Sequence, residues 1–244
     1  MTWGPIIPAH MSGLLSHRAG RLFSLAGALL FGSALAICGW RWSGAMGAPS
    51  TGPLLRPVLV NLALFTLFAG HHSLFARTPL RALIARWLPP PCERSAFVWM
   101  ASLLLITVCL AWQPVPGIAW TVAAPLAWAG RALQGAGIWL TLRGAAAVDV
   151  WELAGVKPAA TNRGPVIYSQ KGPYGWVRHP IYAGWLLLTF AEPVMTGTRL
   201  AFAVISTAYL LVGIPLEERT LRAAGPAYGA YASVVRWRLI PGLY

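Results

Sequence analysis

Residues 172–221 read GPYGWVRHPIYAGWLLLTFAEPVMTGTRLAFAVISTAYLLVGIPLEERTL, and this stretch decides the fold. Two apolar segments, Ile181–Ala191 and Leu200–Leu216, are joined by Glu192–Arg199, which carries Pro193 and Gly197. So short a connection with helix breakers predicts a tight helical hairpin. Polar residues gather at its open end: Arg178, His179 and Tyr182 where the chain enters, Glu217 and Glu218 where it leaves. The 244-residue chain has only six acidic residues, so two side by side at the end of an apolar helix are hard to assign to folding alone. Charged groups at a membrane boundary are costly and usually functional.

Outward from the hairpin, the rest of the chain has the same character. It is 57% hydrophobic and 10% charged, against about 25% charged in soluble domains, with a mean hydropathy of +0.60. Further apolar segments lie near Leu22–Trp40, Leu55–Phe75, Phe97–Trp112 and Ile118–Leu142. A full span needs about 20 residues, so Ile181–Ala191 is expected to be tilted or incomplete. Many of the thirteen tryptophans lie near segment ends, as in an interfacial aromatic belt. The expected fold is all-α: a polytopic transmembrane helical bundle of five to six spans, forming a single domain over 1–244. Transmembrane helices occupy 1–142. A cytoplasmic loop, the hairpin and a C-terminal cofactor-binding region occupy 143–244.

Basic residues give the orientation. Fifteen fall on one side: Arg18, Arg21, Arg77, Arg81, Arg86, Arg94, Arg143, Lys157, Arg163, Lys171, Arg178, Arg219, Arg222, Arg236 and Arg238. Only Arg41, Arg56 and Arg199 fall on the other, and Arg131 lies within the fourth segment. Both termini and the hairpin mouth are therefore expected in the cytoplasm, most simply at the inner membrane of a bacterium. The net charge of +13 is sorted by membrane side and forms no run, which points to anionic lipid headgroups as partners and not to nucleic acid. Cys38, Cys92 and Cys109 lack paired spacing for metal or redox work.

The local mechanics of the entry turn favour ligand binding. Pro180 holds His179 extended and suits the first turn of a helix, so His179 stands at a helix N-terminus, where backbone N–H groups attract anions. Tyr182 and Trp185 can pack on a flat ring. Consecutive glutamates point about 100° apart on a helix, so at most one of Glu217 and Glu218 faces a given site, and the other is expected to pair with Arg219, Arg222 or a loop arginine. The polar stretch from Arg143 to Arg178 reads as a lid or cofactor-binding connection. Within it, Asp149 and Glu152 are three apart, as on one helix face; they form a second acidic wall or a loop salt-bridge surface. Arg131 is expected to snorkel or pair. His71 and His72 sit near the cytoplasmic end of the second segment, and ionisable groups there are functional candidates. Adjacent histidines do not share a helix face, so a metal is not expected. There is no phosphate loop and no nucleophile elbow.

GPYGWVRHPIYAG, then EER, then GPAYGAYASVVRWRLIP resembles the C-terminal signature of the isoprenylcysteine carboxyl methyltransferase and phospholipid methyltransferase superfamily of integral-membrane enzymes. Upstream, HSLFAR (His72–Arg77), ERSAFV (Glu93–Val98), WELAG (Trp151–Gly155) and WLLLTFAEPVMT (Trp185–Thr196) look like its methanethiol S-methyltransferase branch. The resemblance implies S-adenosyl-L-methionine as cofactor, contacted by Tyr174, His179, Pro180, Ile181, Tyr182 and Glu217. By position it adds Val166, Ile167, Tyr168 and Ser169. Arg178 and Glu218 complete the expected cofactor-binding set. Where the prenylcysteine branch has a substrate-binding arginine, this chain has Gly213.

The protein is thus expected to be a membrane methyltransferase whose partner is a small-molecule acceptor, a small and partly apolar thiol. A prenylcysteine carboxylate and a lipid amine are the alternative acceptors, and a non-enzymatic transport or assembly protein is the alternative from another class. A thiol attacks as the thiolate; His72 and Arg94, with Arg77, are the residues expected to hold it or lower its pKa.

Overall fold

The structure, a computed structural model, describes residues 9–77, 92–157 and 172–244. Among them, four helices are long and apolar enough to cross a membrane. These are α1 (Ala9–Ser43), α2 (Leu55–Arg77), α3 (Glu93–Ala111) and, after the shorter elements, α7 (Gly197–Ala223). Between α3 and α7 come β1 (Ile118–Thr121), α4 (Leu126–Ala147), α5 (Val150–Leu153), α6 (Pro180–Phe190) and β2 (Val194–Thr196). A last helix, α8 (Pro226–Val234), follows α7. This is the helical bundle with a C-terminal hairpin that the sequence predicts.

α1, α2, α3 and α7 meet on a core of Met46, Phe65, Val108, Trp112 and Phe202. Trp99 of α3 lies flat on Phe23 of α1, with centroids 5.7 Å apart, and donates from Nε1 to the Phe23 carbonyl at 3.0 Å. Such polar links are needed because lipid supplies no hydrophobic drive between helices. Asn61 of α2 is fully buried for the same reason: it donates to the Gln113 carbonyl at 2.9 Å and accepts from the Gln113 N–H at 2.7 Å, satisfying the chain where α3 ends.

The fourth apolar segment is not one span from Ile118. Residues Ile118–Thr121 form a strand, and helix begins only at Leu126. Pro125 disfavours helical backbone in the residue before it, and the strand has a partner: Ile118, Trp120 and Thr121 pair antiparallel with Thr196, Met195 and Val194. α4 also runs past residue 142, so Arg143 belongs to the helix and the polar stretch starts later.

That pairing explains how the short α6 is accommodated. Eleven residues span about 17 Å, roughly half of a hydrocarbon core near 30 Å. The chain then continues extended through β2, whose residues Met195 and Thr196 are buried. Extended backbone within a membrane bundle is tolerated only where protein satisfies it, and β1 does so. At the helix–strand junction Glu192 is 2% exposed. It pairs with Arg131 of α4 at 3.0 Å and Arg199 of α7 at 3.3 Å, and accepts from Gln134 at 2.9 Å and the Trp42 indole at 3.3 Å. Arg131 therefore pairs.

α4 and α6 touch backbone to backbone. Gly130, Gly137 and Gly144 recur every seven residues, which keeps them on one helix face. A Cβ at Gly137 would lie 2.7 Å from the Gly184 carbonyl oxygen and 2.9 Å from the Leu188 nitrogen; at Gly144 it would lie 2.9 Å from Ile181. Small residues permit such close approach in membranes. A Cβ at Gly135, on the other face of α4, meets no atom of the described residues within 4 Å. Gly137→Leu should therefore destabilise the solubilised protein by about 1–3 kcal/mol or more, read as a lower thermal midpoint, and Gly135→Leu should not. Equal midpoints would refute the close α4–α6 contact.

Candidate active site

The mouth of the hairpin is built by three pieces of backbone. Gly172–Gly175 forms a 3-10 turn, and the chain then extends through Arg178 and His179. The tail after α8 returns beside it: Arg178 N donates to the Trp237 carbonyl at 2.8 Å and His179 N to the Arg238 carbonyl at 2.9 Å. Pro180 then opens α6 with His179 as its N-cap residue.

Glu218 of α7 fastens this assembly. Its side chain is 3% exposed. Arg178 Nε donates to Oε1 at 2.7 Å, and Arg238 donates to Oε2 through Nε at 3.2 Å and Nη2 at 3.1 Å. His179 Nε2 lies 3.3 Å from Oε1. Arg178 Nη1 also caps the Val235 and Arg236 carbonyls at 3.1 and 2.9 Å. One carboxylate thereby joins α7, the α6 entry and the tail. Tyr228 and Tyr231 of α8 pack behind it, and Tyr231 donates to the Tyr174 carbonyl at 2.7 Å.

Glu217 turns the other way and is 33% exposed. Tyr182 donates to its Oε2 at 2.9 Å. The His179 and Tyr182 rings lie parallel, 4° from coplanar orientation, with centroids 5.4 Å apart. Burial lowers the His179 pKa; Glu217 and Glu218 oppose this, and Arg178 reinforces it. The neutral ring donates from Nε2 to Glu218, which leaves the Nδ1 lone pair 4.0 Å from Glu217 Oε2. Two acceptors thus face each other beside a helix N-terminus. Such a set of groups suits a ligand bearing a cationic N–H group, a carboxylate and a flat ring. Tyr174 stays a neutral phenol, its pKa pushed up to about 12 by burial and by Glu217.

A second group of side chains lies on α2, α3 and α7. His72 packs among Phe68 at 5.9 Å, Phe97 at 5.4 Å and Tyr209 at 6.5 Å between centroids. His71 stacks on Phe75 and Phe97. Ser73 donates to the Tyr209 hydroxyl at 3.3 Å. Arg94 lies over the Phe97 ring at 5.1 Å and donates to the Glu152 carbonyl at 3.1 Å. Ser95 donates to the Gly155 carbonyl at 2.7 Å. The sequence blocks beginning at His72, Glu93 and Trp151 therefore converge.

Of the expected site residues, Tyr174, His179, Pro180, Ile181, Tyr182 and Glu217 surround the hairpin mouth. Arg178 and Glu218 are there too, engaged with one another. The arginines that engage Glu218 are Arg178 and Arg238; Arg219 and Arg222 do not hold it in this way. His72 and Arg94 belong to the second group. Val166, Ile167, Tyr168, Ser169 and the Arg77 side chain lie outside the described residues. Asp149 and Glu152 do not share a helix face: Asp149 is the N-cap of α5, accepting from Trp151 N at 3.0 Å and Lys157 at 2.8 Å. Sequence reasoning missed Arg238 as a partner of Glu218. It lacked a local signal; only long-range pairing reveals it.

No family model and no solved structure matches the chain. Among curated proteins, the methanethiol S-methyltransferase of Pseudomonas sp. (strain GM41(2012)) is 35% identical over 94% of this chain and 90% of its own length. The chain belongs to the methanethiol S-methyltransferase family. Methanethiol S-methyltransferase 2 of Bradyrhizobium diazoefficiens is 36% identical over 82% of this chain and 78% of its own. The Nurim homolog of Drosophila melanogaster is more distant, 28% identical over 67% and 69%. The chain is accordingly a methyltransferase embedded in a membrane.

Because the folded pKa of His179 is lowered below 6.5, acid favours the unfolded chain. The neutral ring's contribution to stability is complete above about pH 6.5 and is lost as pH falls through the lowered folded value. Thermal midpoints of the solubilised protein should fall between pH 7 and 5, less steeply in His179→Gln. The same slope in both proteins would contradict a buried neutral His179.

Proposed function

We propose that the protein methylates a small, partly apolar thiol, with S-adenosyl-L-methionine bound at the hairpin mouth near the cytoplasmic face. The observation that carries this reading is the division of labour between adjacent glutamates: Glu218 is consumed by Arg178 and Arg238, while Glu217 stands half-open beside the His179–Tyr182 ring pair. The names of the relatives supply the thiol: those proteins are methanethiol S-methyltransferases.

Glu217 and His179 Nδ1 would accept from the amino group of the cofactor. The first turn of α6, at Pro180, Ile181 and Tyr182, would receive its carboxylate. Tyr174 and the ring pair offer flat surfaces for its base, and Val166–Ser169 are proposed as further contacts on the resemblance alone. Arg178 and Glu218 keep these groups in place. When bound, S-adenosylmethionine would supply an electrophilic methyl group to the acceptor sulfur, the donor sulfur keeping the electron pair of the bond given up. His72 takes the thiol proton and passes it to water. Arg94, behind Phe97, adds a positive field that favours the thiolate. The protein otherwise contributes orientation and exclusion of water. Both termini are proposed to be cytoplasmic, on the fifteen-to-three split of basic residues, in the inner membrane of a bacterium.

Two experiments test this. Calorimetry should show S-adenosylmethionine binding to the purified protein. Glu217→Gln should weaken it about tenfold or more with an unchanged thermal midpoint; Glu218→Gln should lower the midpoint, because removing one partner of a buried ion pair costs about 3–5 kcal/mol. Full-strength binding in Glu217→Gln would place the cofactor elsewhere. With labelled cofactor, methanethiol should be methylated, and phosphatidylethanolamine and farnesylcysteine should not. Label in the lipid or the prenyl compound, with none in thiols, would overturn the acceptor assignment.

A further inference from the structure

We propose that the chain end after α8 docks on anionic phospholipid headgroups through Arg219, Arg222 and Arg236, and that this docking tightens the cofactor site on the tail's inner side; the second half of the inference rests on the cofactor reading above. The first observation is charge. The chain's six acidic residues are Glu93, Asp149, Glu152, Glu192, Glu217 and Glu218, and all of them lie within the described residues. Arg178 and Arg238 occupy Glu218, Arg131 and Arg199 occupy Glu192, and Lys157 occupies Asp149. Among the described residues, no carboxylate pairs with the side chains of Arg219, Arg222 or Arg236. All three are exposed. Arg219 and Arg222 are three apart on α7 and share a helix face, and Arg222 lies over the Tyr228 ring at 5.5 Å. On a soluble surface such arginines need no partner. Here they stand where a membrane-spanning helix ends, and the groups of opposite charge at that level are lipid phosphates.

The second observation is the shape and surface of the tail. Arg238, Leu239 and Ile240 donate from their N–H groups to the Tyr244 carbonyl at 2.9, 2.9 and 3.1 Å, and Arg238 lies over the Tyr244 ring at 5.1 Å. The chain end is thus a closed loop, tied to α7 through Glu218 and so held at the membrane boundary. Its exposed side chains include Val234, Trp237, Ile240 and Leu243. Large apolar groups displayed outward mark a contact surface. A tryptophan and aliphatic side chains flanked by arginines suit the interface, where the ring sits at headgroup level.

The third observation links this surface to the site. Residues 235–238 have two sides. Val235 is buried and Arg238 reaches inward to Glu218, whereas the side chains of Arg236 and Trp237 are exposed. The carbonyls of the same four residues hold the entry to α6: Val235 and Arg236 accept from Arg178 Nη1, Trp237 from Arg178 N and Arg238 from His179 N. A headgroup that fixes Arg236 and Trp237 from outside therefore fixes the backbone that positions His179. Lipid and cofactor favour the same ordered tail, so each must tighten the other.

The test uses the full-length protein. Phosphatidylglycerol or phosphatidylcholine is titrated into detergent-solubilised protein and the bound lipid is counted by native mass spectrometry. S-adenosylmethionine affinity is measured by calorimetry in phosphatidylcholine nanodiscs with and without phosphatidylglycerol. The protein should prefer phosphatidylglycerol, and Arg219→Gln, Arg222→Gln and Arg236→Gln combined should weaken that binding about tenfold or more. Arg18→Gln with Arg21→Gln, exposed cations of α1, should weaken it less. Phosphatidylglycerol should tighten cofactor binding about fivefold, and the triple variant should lose this gain while binding the cofactor in pure phosphatidylcholine as the unsubstituted protein does. Equal lipid affinity in the triple variant and the Arg18/Arg21 variant overturns the proposal. So does cofactor affinity in the unsubstituted protein that is the same with and without phosphatidylglycerol. If the unsubstituted protein binds no S-adenosylmethionine in any lipid, the cofactor reading fails, and the coupling with it; the lipid titration still decides the docking surface.

Discussion

The Glu218 carboxylate sits where α7 ends, and its two oxygens receive Arg178, Arg238 and His179 in a volume nearly closed to water. A buried carboxylate left unpaired would be costly, and a buried pair is worth keeping only when its geometry is saturated. Here both oxygens are used, and Arg178 Nη1 donates to two carbonyls of the tail backbone. Everything at the hairpin mouth depends on this. The entry strand is held to the tail, the N-terminus of α6 is aimed, and the neighbouring Glu217 is turned about 100° away toward the open side. Two identical side chains in succession therefore do opposite things: one consumes charge inside the protein, and the other presents it.

The second constraint is length. α6 is too short to cross a bilayer by itself, and the chain runs on from it into a strand that pairs with β1. This solution places a helix end, and with it Glu192, inside the molecule. The ion pairs to Arg131 and Arg199 then become necessary, as does β1 to satisfy the extended backbone. The gain is positional. A short helix lets its N-terminus sit at the mouth while its other end is anchored within the bundle, and Gly137 and Gly184 let α4 grip it directly.

Much of this was legible in the sequence. Long apolar segments, the hairpin and the polar mouth all follow from hydropathy and from Pro and Gly placement, which act locally. His179, Tyr182 and Glu217 were readable because Pro180 fixes the entry turn and the glutamates are rare. What failed was long-range. Ile118–Thr121 looked like helix because an apolar run carries no mark of its strand partner, although Pro125 was a visible warning. Asp149 looked like a face-mate of Glu152 because spacing cannot show that it takes positive φ and caps the helix. Arg238 was one of fifteen cations on its side, and nothing local distinguished it as a partner of Glu218. The seven-residue glycine spacing in α4 was present in the sequence and readable as a packing face.

The central claim is that the cofactor occupies the hairpin mouth beside Glu217. An experimental structure of the protein with S-adenosylhomocysteine tests it most directly. The account predicts ligand density against Glu217 and the His179–Tyr182 rings, with its amino-acid end at the first turn of α6. Density bound elsewhere, with Glu217 free of contact, would contradict it.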